Sequence, residues 1–156
     1  MDDIKFDFGM IGLGVMGSNL LLNMAEHGFA VIGYDTNADK TSLFETSADK
    51  NMVVKGVNKL QEMIDRLKVP RKIMMLVPAG APVDSVINDL VPILDKGDII
   101  IDGGNSHYTD TLKRIQYLED KKIHFMGIGI SGGEEGARKG PSIMPGGDRE
   151  AYHEVE

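Results

Sequence analysis

Glycine recurs at positions 12, 14 and 17, between the apolar run Phe8–Ile11 and the segment Ser18–His27, whose apolar residues fall at helical spacing. Each glycine has a separate job in a phosphate-holding turn. Gly12 lets the chain turn tightly off a strand, Gly14 lets a pyrophosphate approach the backbone, and Gly17 lets the following helix pack closely. Free amides and the positive end of the helix dipole then hold an anion without any charged side chain. Glycines also gather in turns for conformational reasons, so the same spacing suits a plain strand-turn-helix unit. The next carboxylate favours the anion site. Asp35 closes a second apolar run, Phe29–Tyr34, 18 residues past Gly17, about where a dinucleotide fold needs an acid for the ribose hydroxyls.

Two further groups of polar residues follow apolar runs. Asp102-Gly103-Gly104-Asn105-Ser106 comes directly after Ile99–Ile101. A polar Asn105 at the carboxyl end of a strand fits ligand contact, although Asn and Ser are equally favoured as helix caps. Ser131, Gly132 and Gly133 open a glycine-rich stretch that runs to Gly147. On its own such a stretch reads as a loop. His27, His107, His124 and His153 are too scattered for a metal site and are expected at the surface or as caps.

Positioning these residues requires alternating strands and helices. Periodicity predicts strands at Phe8–Ile11, Phe29–Tyr34, Met52–Lys55, Arg71–Val77, Asp98–Asp102 and Ile123–Ile130. Between them it predicts helices over Ser18–His27, from a polar cap at Thr36–Lys40 to about Ala48, Val57–Leu67, Asp84–Leu94 and Tyr108–Lys121. Gly28 should end the first helix, and Pro78-Ala79-Gly80 should stop the fourth strand, since proline cannot continue a central ladder. Asp148–Glu156 reads as the opening of a helix that either frays or continues into a longer chain. The expected class is α/β, a Rossmann-type doubly wound, mostly parallel sheet with helices on both faces, in one domain spanning residues 1–156.

A net charge of −7 with no basic cluster argues against nucleic acid or an anionic membrane as partner. There is no cysteine, hence no disulfide framework or thiol chemistry. With neither a basic-then-apolar leader nor an apolar stretch long enough to span a bilayer, the expectation is a soluble, cytoplasmic protein.

Taken together, the motifs resemble the N-terminal domain of the 6-phosphogluconate dehydrogenase family, the oxidative decarboxylases of the pentose phosphate pathway. The resemblance rests on Ile11–Leu20 (IGLGVMGSNL), on Ile99–Ser106 (IIIDGGNS), and most specifically on Ser131–Arg138 (SGGEEGAR) with Gly140-Pro141-Ser142 and Met144–Gly147. It implies NAD(P) as cofactor and 6-phosphogluconate as substrate. It assigns Gly12, Leu13, Gly14, Val15, Met16 and Gly17 to the pyrophosphate turn, Asp35, Thr36 and Asn37 to the adenosine ribose, and Val77, Pro78 and Ala79 to the flank of the cofactor. Asn105 would lie between nicotinamide and sugar acid as the catalytic residue of this chain, with Ser131, Gly132 and Gly133 holding substrate. The family's lysine base and glutamate acid belong to a following helical domain and have no matching position here. The resemblance implies a homodimer for the full-length protein, with a monomer open for this chain.

Two departures bear on the cofactor. Many members of the family carry Asn-Arg-Thr where this chain has Asp35-Thr36-Asn37, and lysine where it has Pro78. Both remove positive charge near the dinucleotide, so NAD is expected to be preferred over NADP, with Lys40 as a counterweight. The alternatives are a β-hydroxyacid dehydrogenase of the 3-hydroxyisobutyrate type and a non-catalytic dinucleotide-binding module.

Overall fold

Four-residue runs of buried apolar side chains build the centre of the molecule. Phe8–Ile11 (β1) and Ile99–Asp102 (β5) are buried at every position, as strands covered on both faces must be. The computed structural model describes residues 4–131, 133–139, 142–147 and 149–155, of which 131, 133–135, 142–147 and 149–151 are described through their backbone. Val31–Tyr34 (β2), Val54–Val57 (β3), Lys72–Met75 (β4) and His124–Ser131 (β6) complete a parallel set, ordered β3-β2-β1-β4-β5-β6. A seventh strand, Ser142–Gly147 (β7), pairs antiparallel with β6, Met126 facing Gly147 and Ser131 facing Ser142.

Helices cover both faces. Val15–Glu26 (α1), Ala38–Thr46 (α2) and Gly133–Lys139 (α6) bring Leu21, Phe44 and Ala137 to a core shared with Phe8, Met10, Met74 and Ile101. Leu60–Asp65 (α3), Ala81–Leu90 (α4) and Tyr108–Glu119 (α5) bring Met63, Ile87 and Leu118 to the opposite core with Ile11, Ile73, Met75 and Ile100. Successive strand residues thus feed opposite cores, the period of two expected of a pleated strand. Arg149–Val155 (α7) is the last helix. Among the described residues no helix is long and apolar enough to cross a membrane.

Several boundaries depart from the sequence expectation. The first helix begins at Val15 rather than Ser18, with Gly14 as its N-cap, so Gly17 lies inside the helix. The third strand is Val54–Val57 rather than Met52–Lys55, because the parallel register sets Val31 against Val54 and draws Gly56 into the ladder. The helix expected over Val57–Leu67 shortens accordingly to Leu60–Asp65. The fourth begins at Ala81, with Pro82 in its first turn, where a missing amide costs nothing. The glycine-rich stretch after Ile130 is not one loop: it holds α6 and then β7.

Candidate functional site

The strand order reverses between β1 and β4: β1 leads outward to β2 and β3, and β4 leads the other way to β5 and β6. Ligands of open α/β sheets bind at this switch point, beyond the carboxyl ends of the strands. Gly12 leaves β1 at φ 99°, its amide donating to Tyr34 O at 2.9 Å. A Cβ on Gly12 would come within 2.6 Å of Leu76 O, and one on Gly17 within 2.0 Å of Gly12 O. These two glycines are therefore demanded by backbone contact. Gly14 differs: a Cβ there would meet nothing within 4 Å, so its bareness leaves open space above the helix start. Of α1 to α5, only α1 has neither a capping side chain nor an acidic residue in its first turn. That leaves the positive end of its dipole without an acidic or capping side chain, the condition an anion site requires. Leu13 is buried and Val15 is 58% exposed, which places one on the core side and the other on the open side of the turn.

Asp35 follows β2 at the same edge. Its Oδ2 accepts from the Leu13 amide at 2.9 Å and its Oδ1 from the Asn37 amide at 2.9 Å. The Asn58 side-chain amide donates to Asp35 O at 2.9 Å, fixing the backbone as well. Asn37 has a structural duty, since its Oδ1 accepts from the Asp39 amide at 2.8 Å as the N-cap of α2. Thr36 and Lys40 are exposed beside it.

The facing rim comes from β4 and β5. Pro78 and Ala79 are exposed and Val77 is half-buried. A Cβ on Gly104 would lie 2.4 Å from Val77 O, so the loops after β4 and β5 touch through backbone. Asp102 is buried, its Oδ1 accepting from the Gly104 amide at 2.8 Å and its Oδ2 from the Ser106 hydroxyl. Between those two bonds Asn105 stands exposed at φ 64°, a left-handed conformation that asparagine adopts more readily than most residues. It does not cap the next helix; His107 does, its Nδ1 accepting from the Thr109 amide at 3.3 Å.

Beneath this rim sits Arg114 of α5, 5% exposed. Its Nε donates to Asp84 Oδ1 at 2.8 Å, its Nη2 donates to Gly80 O at 3.2 Å, and its Nη1 lies 3.7 Å from Asp102 Oδ2. The bond from Arg114 holds the Asp84 carboxyl below the usual carboxylate range. Sequence reasoning missed Arg114. The available signal was a cation in register with Leu118, one helical turn on, along the stripe that faces the sheet.

Of the expected substrate residues, Gly132 lies outside the described residues, while Ser131 ends β6 and Gly133 begins α6. Within that segment, α6 is anchored to α1. Ala137 is fully buried, its carbonyl accepting from Asn23 Nδ2 at 3.4 Å, and Arg138 donates to Glu26 Oε2. That bond holds the Glu26 carboxyl below its ordinary range. Ala137 and Arg138 are thus structural members of their motif.

The structure brings Gly12–Gly17 and Asp35 into direct contact and joins Val77 to Gly104. What results is an uncapped helix end between an acid suited to vicinal hydroxyls and a polar, exposed Asn105. A family model described as the NAD binding domain of 6-phosphogluconate dehydrogenase matches residues 7–156. The chain is 53% identical over 150 residues to a Saccharomyces cerevisiae protein named 6-phosphogluconate dehydrogenase, decarboxylating 1, covering 96% of this chain and 31% of the yeast protein. It superposes with TM-score 0.90 and 43% identity on Plasmodium falciparum 6-phosphogluconate dehydrogenase, a structure described in its apo form and in complex with its cofactor NADP+ and its substrate 6-phosphogluconate; the match covers 96% of this chain and 32% of that one. A Mycobacterium tuberculosis 3-hydroxyisobutyrate dehydrogenase superposes over 98% of this chain and 50% of its own with TM-score 0.83, but at 21% identity it shares the fold alone. The chain spans about a third of the length of the first two relatives.

Proposed function

Since the chain belongs to the 6-phosphogluconate dehydrogenase family and matches its NAD binding domain, we propose that it supplies the cofactor half of an oxidative decarboxylase acting on 6-phosphogluconate. The observation that carries the reading is the uncapped start of α1 over the open space at Gly14, at the point where the strand order reverses. These residues fit a dinucleotide: amides for the pyrophosphate, Asp35 for the adenosine ribose, and Val77, Pro78 and Ala79 along the flank. A bound nicotinamide would supply the hydride acceptor for oxidation of a secondary alcohol. This chain orients the cofactor, and Asn105 can donate to and accept from the sugar acid at the reacting end. Ser131, Gly132 and Gly133 are assigned to the substrate's polar groups.

Proton transfer belongs to the helical domain of the family, since no position here matches its lysine and glutamate. The 156 residues are accordingly read as one cofactor-binding domain, working in the cytoplasm within a homodimeric full-length enzyme. Titration of the chain with NAD and NADP should give saturable binding, and addition of 6-phosphogluconate should give no reduced cofactor. Failure to bind either dinucleotide overturns the reading, and turnover by these residues alone overturns the division of labour.

The finer proposal is that NAD is preferred. Asp35 is fixed by bonds at both oxygens and carries its charge at the site where the 2′-phosphate of NADP would add nearly two more negative charges. Lys40, exposed in the first turn of α2, is the available counter-charge, on a flexible stem without an arginine's fork. NAD should win by ~2 kcal/mol, about thirtyfold in affinity. The NADP+ complex of the Plasmodium relative sets the opposite expectation, and the same titration decides between them.

A further inference from the structure

We propose that Arg114 is a positioning residue that locks the two loops forming the nicotinamide end of the site, a role that rests on the cofactor reading above. Arg114 is 5% exposed. It reaches both loops from below. Through Nη2 it holds the carbonyl of Gly80, the residue that follows Val77, Pro78 and Ala79 and turns the chain into α4 at φ 93°. Through Nε it holds Asp84 in the first turn of α4. Through Nη1 it faces Asp102, a carboxylate only 1% exposed.

Asp102 in turn shapes Asn105. Its two oxygens accept from the Gly104 amide on one side and the Ser106 hydroxyl on the other, and between them Asn105 is held at φ 64°. A non-glycine residue keeps such a backbone only where the surroundings over-determine it. Asp102 is the over-determining group, and Arg114 is the cation that makes a buried carboxylate tolerable there. Nη1 itself is buried, makes no hydrogen bond among the described residues, and stands at ion-pair rather than hydrogen-bond distance from Asp102. Its charge is therefore aimed at Asp102, whose own oxygens are occupied by the Asn105 turn.

One guanidinium thus couples the loop after β4 to the loop after β5. Among the described residues, no bond joins it to the adenosine end, built by Gly12–Gly17 and Asp35. The two halves of a dinucleotide should respond differently to its loss.

The test compares the wild-type chain with Arg114→Met, which keeps the stem and removes the donors, and Arg114→Lys, which keeps the charge. Exchange of the Gly104 amide, followed by NMR, should speed up at least tenfold in Arg114→Met while amides of β1 hold their rates. Affinity for NAD should fall about tenfold, affinity for ADP-ribose should stay within about twofold, and Arg114→Lys should recover part of the loss. Asp84→Asn, a change at a side chain 58% exposed, gives the same pattern at smaller amplitude should Arg114→Met fold poorly. Equal losses for NAD and ADP-ribose, or unchanged Gly104 exchange, would overturn the proposal. If the wild-type chain binds neither nucleotide, the cofactor reading fails, and Gly104 exchange still decides whether Arg114 locks the loops.

Discussion

The Asp35 carboxylate accepts a hydrogen bond from the Leu13 amide at 2.9 Å, which ties the acid at the end of β2 to the glycine turn at the end of β1. A side chain free to swing could avoid a 2′-phosphate. This one is held, because its second oxygen accepts from the Asn37 amide. The bond also couples the acid to the glycine turn, since whatever moves Asp35 moves Leu13.

Asp35→Asn keeps an oxygen for the Leu13 amide and removes the charge. The ratio of NADP to NAD affinity should rise about tenfold, or ~1.4 kcal/mol, measured by isothermal titration. An unchanged ratio would mean that the carboxylate does not face the 2′-phosphate.

Gly17→Ala forces a Cβ to 2.0 Å from Gly12 O, a contact with backbone that no rotamer can relieve. The start of α1 must move away from the turn. Stability should drop by about 1–3 kcal/mol in denaturant titration, with dinucleotide binding reduced beyond that loss. Gly14→Ala, made where nothing lies within 4 Å, should leave stability nearly unchanged and still weaken binding, because the methyl group would enter the space proposed for the phosphate.

Asn105 is exposed and does not cap α5, so its side chain is available to ligand. If the proposed function holds, Asn105→Ala in an active enzyme carrying this domain should lower kcat/KM roughly ten- to a hundredfold, ~1.4–2.8 kcal/mol of transition-state stabilisation. Asn105→Gly separates the amide from the backbone, since glycine adopts φ 64° without strain. The two variants should be equally slow. Restoration of activity by glycine would assign the effect of alanine to the turn.

Asp7 supports the opposite end of β1. Burial pushes its carboxyl up most strongly, but bonds from Lys68 Nζ at 2.6 Å and the Ala30 amide at 2.8 Å outweigh it and hold the group below its ordinary value of 3.8. A depressed carboxylate stabilises the fold above its unfolded value and loses that contribution as pH falls through the folded one. Asp7→Asn should therefore cost about 1 kcal/mol at neutral pH, and the gap should close below about pH 4 in thermal unfolding series. A gap that does not narrow as the pH falls would point to shape rather than charge.

The sequence by itself determined the strand-turn-helix with its three glycines, the acid that closes β2, the alternation that makes a doubly wound sheet, and the family. All of these are written in short spans: a glycine's tolerance, an apolar run and a cap act within a few residues. What only tertiary structure decided involves partners far apart in the chain. The register of β3 follows from its pairing with β2, which local propensity cannot see. The stretch after Ile130, glycine-rich and thus loop-like in sequence, folds as a helix and a strand because Ala137 finds α1 and β7 finds the edge of β6. Arg114 reads as one more surface cation until Asp84, Gly80 and Asp102 converge on it. A buried charge is tolerated only where distant groups meet it, so its role becomes visible only in the folded chain.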